Sequence, residues 1–348
     1  MKTILAIDDQ SFNLVKIEEA LEDNYKVLTT TSAERMFEIL QKVAPDLILL
    51  DIEMPEVNGF EAIRRLKANE THAQIPVIFL TGRTDEISEA QGLKLGAVDF
   101  ITKPFSKPVL LNRVQMHLNV DGLIRERTAQ LNQKEKEVRK IRNGIVRVLS
   151  NVVENRDEIT GGHIERTSSY TSLLIETLLA KGVYADEIKT WNIAAAVASA
   201  SLHDVGKVVV SDLILNKPDK LTDEEFAKMK EHVAKGVKII DQIIDTTGIS
   251  DSFLVNAKLF AGDHHEKWNG CGYPKGLKGE NISLQGRIMA IADVYDALVS
   301  DRPYKKAFTH EKAVSIIMED AGKHFDPKIA DVFFEINDKF DDIRKSNL

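Results

Sequence analysis

Four apolar residues in a row, Leu47, Ile48, Leu49 and Leu50, stand between Asp46 and Asp51. A strand with one wet face would alternate polar and apolar side chains, and this run does not. It needs apolar cover on both faces, which a parallel sheet flanked by helices supplies. Counted from Asp46, this run predicts a strand over 46–50; similar short runs occupy 3–7, 26–30, 76–80 and 98–101, and amphipathic stretches such as 58–68 lie between them. Five β/α units predict a doubly wound, five-stranded parallel α/β domain over residues 1–120.

The pattern then changes. Ile124, Leu131, Val138, Ile145 and Val152 recur every seven residues, and Ile141 and Val148 fall three after an apolar position. Arg127 and Lys134 take the alternate seam positions, which weakens the first half. This predicts a linking helix over 121–150 with a coiled-coil seam, favouring a homodimer. A single solvated connecting helix is the other reading. Residues 151–348 carry helical patterning nearly throughout and predict an all-α domain. Thr222 followed by Glu225 is a capping-box signature, and the Gly-rich stretch 270–279 is the one long irregular loop.

Composition narrows the function classes. With 348 residues the chain suits more than one core, and a net charge of −8 makes it a poor general binder of nucleic acid. One cysteine, Cys271, permits no internal disulfide. No signal peptide or membrane-length apolar run is visible, so a cytoplasmic location without membrane contact is expected.

On the expected sheet, Asp8 and Asp9 end the first strand, Asp51 the third, Thr81 the fourth and Lys103 the fifth. Open parallel sheets form sites outside the carboxyl ends of their strands, so these residues should meet. Any one of them alone reads more readily as a turn or cap residue. Together, three carboxylates invite a hard cation such as Mg²⁺, and a lysine and a hydroxyl nearby suit a phosphoryl group. The stretches IDDQ at 7–10, LLDIEMPEVNGFEAIRRLK at 49–67, FLTGR at 79–83 and DFITKPF at 99–105 resemble a response-regulator receiver domain. The resemblance implies that Asp51 accepts phosphate from a cognate histidine kinase. It also implies a Mg²⁺ site at Asp9 and Asp51, supported by Asp8 and the Glu53 carbonyl. Thr81 and Lys103 would contact the phosphoryl group, and Phe100 would be the aromatic that rotates on activation.

Nine histidines occur in the chain, and His163, His203, His232, His264 and His265 lie among acidic residues in one span. A lone histidine in a helical domain is usually a surface or hydrogen-bonded core residue. The adjacent pairs His203-Asp204 and His264-His265 change that reading. Neighbours on a helix point about 100° apart, so adjacent ligands suit two ions, or one ion and a bridge. Imidazole with carboxylate favours iron, manganese, zinc or nickel over calcium. Two such ions can clamp a phosphate in line with an attacking water.

The flanking segments SLHDVGK at 201–207, NKPDKLTDEEFAKMKEH at 216–232, HHEKWNGCGYPKGLKGE at 264–280 and GRIMAIADVYDALVSDRPYKKAF at 286–308 resemble the HD-GYP family of HD-superfamily phosphohydrolases. That resemblance implies hydrolysis of cyclic di-GMP to pGpG, with GMP as a further product. The implied ligands are His163, His203, Asp204, His232, His264, His265 and Asp293, with Asp204 as bridge and iron or manganese ahead of nickel or zinc. Lys207 would touch the scissile phosphate, and Arg302 and Lys305 the nucleotide, with a solvated basic stretch as the lesser reading of the last two. Asp296, one turn from Asp293, would orient a ligand or the substrate, or serve structure alone. Gly272, Tyr273 and Pro274 form the signature loop. Glu266 and Trp268 read as framework, and Cys271 as a buried thiol. Some family members carry a further acidic ligand where this chain has Ile159, so two metals are expected here. The alternatives are a phosphodiesterase for another cyclic dinucleotide such as cyclic GMP-AMP, and a cyclic di-GMP sensor that binds without turnover.

Overall fold

The computed structural model describes the chain except residues 83–85, 155, 157–161, 302–305 and 347–348, and except the side chains of 86–89. It divides into two compact units, Met1–Lys136 and Glu137–Leu348.

The first unit holds strands β1 (Thr3–Ile7), β2 (Lys26–Thr30), β3 (Leu47–Asp51), β4 (Val77–Thr81) and β5 (Asp99–Thr102). All neighbours pair in parallel, in the order β2-β1-β3-β4-β5. Helices α1 (Ser11–Leu21), α2 (Ala33–Leu40), α3 (Gly59–Ala68) and α4 (Glu86–Lys94) connect them. The last three strands begin one residue later than the apolar runs that announce them. Every residue of β3 is buried, as its lack of alternation requires. Leu47 and Leu49 face a core shared with Ile17 and Leu21 of α1, whereas Ile48 and Leu50 face one shared with Met36 of α2 and Ile63 of α3. Each such side chain contributes about 1.5–3 kcal/mol by leaving water.

Helix α5 (Lys107–Glu154) is longer at both ends than the segment expected over 121–150. Its first turns belong to the sheet, because Leu110, Val114 and Leu118 complete the core on the α1 face. Farther along, Ile124, Leu131, Val138, Ile141, Ile145, Val148 and Val152 are all exposed. The apolar stripe is therefore real and uncovered in the single chain.

The second unit continues with α6 (His163–Ala180), α7 (Ala185–Ile188), α8 (Ile193–Ser199), α9 (Asp212–Leu215), α10 (Asp223–Thr247), α11 (Ser252–Asp263), α12 (Leu284–Val299), α13 (His310–Glu319) and α14 (Pro327–Ser346). Helix α12 runs through its centre. Ile288, Met289, Ile291, Ala292 and Tyr295 pack among Tyr170 and Leu174 of α6 and Phe333 and Phe340 of α14. The Tyr170 and Phe340 rings stack at 4.6 Å, with Tyr295 edge-on to both. The expected capping box is present: Thr222 accepts from Glu225 N–H, and the Glu225 carboxylate accepts from Thr222 N–H. Among the described residues, no helix is long and apolar enough to cross a membrane.

Candidate metal centre and phosphoacceptor site

The helical unit brings its five histidine candidates together from separate elements. His163 opens α6. His203 and Asp204 sit between two 3₁₀ turns, Ala200–Leu202 and Val205–Val209. His232 lies on α10, and His264 caps the end of α11 with His265 next to it. Asp293 and Asp296 lie on α12. Gly206 lets the 3₁₀ turn meet α10: a Cβ there would fall 1.8 Å from the His232 carbonyl oxygen. A side chain at 206 would push Asp204 away from His232.

Ring orientation is fixed by backbone acceptors. Nδ1 of His203 lies 3.0 Å from the Ala200 carbonyl, Nδ1 of His232 lies 2.7 Å from that of Met229, and Nδ1 of His264 lies 2.9 Å from that of Phe260. An N–H at Nδ1 leaves the Nε2 lone pair free to coordinate. Those three Nε2 atoms and Asp204 Oδ1 are buried without hydrogen-bond partners. They face one another: Asp204 Oδ1 is 3.3 Å from His232 Nε2 and 3.5 Å from His264 Nε2, and Oδ2 is 3.5 Å from His203 Nε2. Two clusters of cation-binding geometry share Asp204, one with His232, His264 and His265, the other with His163 and His203. Asp293 Oδ1 stands 3.6 Å from His163 Nε2, beside the second cluster. Unpaired buried acceptors are costly unless something binds them, so the donor set fits divalent transition metals.

Charge is arranged to match. Burial pushes His203 down to about 4, and burial with the neighbouring His264 and His232 pushes His265 well below the usual imidazole range. Burial also opposes protonation of His163 and His264, but Asp296 and Asp204 respectively outweigh it and raise both imidazoles. Burial opposes ionisation of Asp204, but Lys207 and the histidines outweigh it and hold the carboxyl well below its ordinary value. Lys207 Nζ lies 2.9 Å from Asp204 Oδ2.

Asp296 sits behind His163 rather than in the cleft. It is buried, its Oδ2 lies 2.8 Å from His163 Nδ1, and its carboxylate takes Arg166 at 2.7 and 2.9 Å. Both oxygens are engaged, and the contact with His163 Nδ1 places Asp296 to hold that ring. Arg166 and Glu154 were not singled out in the sequence. Arg166 is a buried cation three residues after His163, and Glu154 ends α5 and accepts from His163 N–H at 3.1 Å. The signal for Arg166 was a charge on the buried face of α6.

A cleft of about 700 Å³ opens beside these ligands, lined in part by Lys207, Lys217, Lys220, Leu221, Met229 and Tyr273. The Tyr273 ring lies 4.7 Å from that of His265. Gly272 allows the loop to close, since a Cβ there would lie 2.3 Å from Lys267 N. Glu266 is framework: its buried carboxylate accepts from Lys275 N–H at 2.7 Å and Leu277 N–H at 2.9 Å. Pro274 is exposed. Cys271 is exposed too, contrary to the buried thiol expected, because the loop turns its tip to solvent. Arg302, Lys305 and Ile159 lie outside the described residues.

In the first unit Asp8, Asp9 and Asp51 converge at the strand ends in an arrangement able to hold a cation. Lys103 Nζ lies 2.6 Å from Asp8 Oδ2 and 2.7 Å from Asp51 Oδ2. Asp9 Oδ1 is buried without a hydrogen-bond partner, which fits a Mg²⁺ ligand. Burial raises the Asp51 carboxyl, and Lys103 pulls against that rise. Glu53 N–H reaches Asp51 Oδ1 at 3.4 Å. Thr81 is buried at the end of β4, and Phe100 is half-buried on β5.

Residues 147–329 match the HD domain family, and residues 4–115 match the response regulator receiver domain family. A probable cyclic di-GMP phosphodiesterase of Vibrio cholerae serotype O1 is 39% identical over 348 residues, spanning 98% of this chain and 79% of that one. The cyclic di-GMP phosphodiesterase response regulator RpfG of Xanthomonas campestris pv. campestris is 33% identical over 338 residues, 94% of this chain and 86% of that one. A 3'3'-cGAMP-specific phosphodiesterase 2 of Vibrio cholerae is 39% identical over 210 residues, 60% of this chain and 38% of that one.

Proposed function

Because this chain belongs to the response regulators that join an N-terminal receiver domain to a C-terminal HD domain, we propose that it is a phosphorylation-regulated, metal-dependent cyclic di-GMP phosphodiesterase. One observation carries the reading: three buried Nε2 lone pairs and a buried carboxylate oxygen face one another without partners. The residues that would hold the ions are His163, His203, Asp204, His232, His264, His265 and Asp293, and Asp204 would be the shared ligand, since its two oxygens face different histidines. When bound, a pair of divalent ions, iron or manganese, supplies positive charge at phosphorus and lowers the pKa of an attacking water.

The chain's own side chains do the rest. Lys207 stands at the cleft end of Asp204 and steadies the negative charge that builds on the phosphate. Asp296, backed by Arg166, holds His163 in one orientation. The apolar wall at Leu221 and Met229 keeps water from the substrate's flank. Arg302 and Lys305 take the second phosphate or a guanine edge. The product is linear pGpG, with GMP after a second cut.

Regulation begins at Asp51, which accepts phosphate from a histidine kinase. Mg²⁺ binds at Asp8, Asp9 and Asp51 with the Glu53 carbonyl, while Thr81 and Lys103 hold the phosphoryl group and Phe100 responds. The division of labour is a receiver over 1–120, a linking helix over 121–150 and a phosphohydrolase domain over 151–348. The exposed stripe on α5 pairs with a second copy of the chain, since a long helix with one apolar seam gains by burying it.

The test is turnover by metal-loaded protein. With Mn²⁺ or Fe²⁺ the protein converts cyclic di-GMP to pGpG, and Asp204→Ala does not. Fully loaded protein that yields no product rejects this substrate. A second reading, cyclic GMP-AMP as substrate, is supported by the similarity to the 3'3'-cGAMP-specific enzyme. Parallel kcat/KM values for the two dinucleotides decide between them.

A further inference from the structure

The end of α5 is tied to the metal-ligand cluster at two points. Its last residue, Glu154, is buried and accepts from the backbone N–H of His163 at 3.1 Å. Two residues on, Arg156 donates to the carbonyls of Val208 at 2.7 Å and Val210 at 3.1 Å, and pairs with Asp212 at 2.7 Å. Val208 and Val209 end the 3₁₀ turn that carries Lys207 and follows Asp204 directly. The carbonyl of Arg156 in turn accepts from Asn216 Nδ2 at 2.8 Å, where the chain enters the cleft wall.

We propose that Glu154 and Arg156 are positioning residues that fix the end of α5 to both halves of the ligand set, His163 on one side and the Asp204–Lys207 turn on the other. The assignment rests on the metal centre proposed above. The two ties differ in chemistry. Glu154 places a carboxylate at the start of α6, where N–H groups have no partner within the helix and a negative charge is favoured. Arg156 spreads its planar guanidinium fork over the Val208 and Val210 carbonyls and the Asp212 carboxylate, a fixed geometry that a lysine ammonium does not reproduce. A small cavity beside the Glu154 tie is lined by Ser150, Glu154, His163, Ser201, Asp204 and Lys207, so the end of α5 borders both halves of the ligand set directly. Residues that orient ligands in this way typically govern metal affinity or rate by about 10- to 100-fold.

The experiment measures Mn²⁺ binding by titration of the full chain, with kcat and KM for cyclic di-GMP alongside. In Glu154→Ala, Mn²⁺ binding weakens about tenfold or more and kcat falls, while KM stays within about twofold. Glu154→Gln keeps an acceptor oxygen and stays close to the parent in both readouts. Arg156→Lys lowers kcat and leaves thermal stability near that of the parent. Should Glu154→Ala unfold, Glu154→Gln against Glu154→Asp, which shortens the reach, carries the same comparison. Unchanged Mn²⁺ affinity and kcat in both Glu154→Ala and Arg156→Lys overturns the proposal, as does an equal loss in Glu154→Gln and Glu154→Ala. Parent protein that binds Mn²⁺ yet leaves cyclic di-GMP intact rejects the substrate, and the binding arm still decides the role of the ties.

Discussion

The two acidic clusters of this chain are built on opposite plans. At the strand ends, Asp8 and Asp51 share Lys103, which offsets part of their charge from within the fold, while Asp9 Oδ1 is buried without a hydrogen-bond partner. In the helical unit the facing atoms of His203, His232, His264 and Asp204 are left without hydrogen-bond partners. The first plan suits a hard cation and a phosphoryl group that come and go, because the site keeps its own counter-charge. The second suits resident transition metals, because imidazole lone pairs held inward find nothing else to bind. The two sites thus differ in their donors: carboxylates around one lysine in the first, imidazoles around one shared carboxylate in the second.

The sharpest way to break this contrast is Asp204→Ala. Losing the shared carboxylate should remove at least one ion and lower kcat by about 1,000-fold or more, read by metal analysis and pGpG formation. Lysine substitution at the other site should leave metal content alone. Arg166→Met comes next. It strands the buried Asp296 charge, with an expected loss of about 3–5 kcal/mol. Thermal unfolding of the helical unit should drop on the order of 10 °C, with His163 loosened as a ligand.

Lys103→Met tests the first plan. Burial already raises Asp51, and Lys103 works against that rise, so removing it lifts the Asp51 carboxyl further. A carboxyl raised on folding makes the fold more stable below its unfolded value, and that advantage is lost as pH rises through the folded value. The variant should therefore lose stability with rising pH over a wider window than the parent, measured by unfolding at a series of pH values. It should also fail to respond to a phosphoryl mimic. The smallest effect is Thr222→Ala, which removes the cap of α10 for about 1 kcal/mol. A fall of about 2–4 °C is expected without change in metal content.

The sheet was legible because burial on both faces leaves a mark in one dimension: four apolar residues without alternation can sit nowhere else so well. The one-residue offsets of β3, β4 and β5 were not, since strand edges are set by pairing with neighbours. The histidine pairs were legible from chemistry alone. For Asp296 the sequence left ligand, substrate and structure alone all open, because its partners are fixed only when α6 and α12 pack, bringing together Arg166 and Asp296 from distant parts of the chain. Glu154 was invisible for the same reason, being one acid among many on a charged helix. Cys271 was misjudged because local loop shape, not residue type, decides which way a tip faces.

The carbonyl partners of His203, His232 and His264 have a further consequence. Each comes from three or four residues earlier in the same stretch of chain, so the turn that places each ring also supplies the acceptor that turns its Nε2 inward. Ring direction is thus set locally, within one helical turn, and binding an ion requires no ring flip at these three positions.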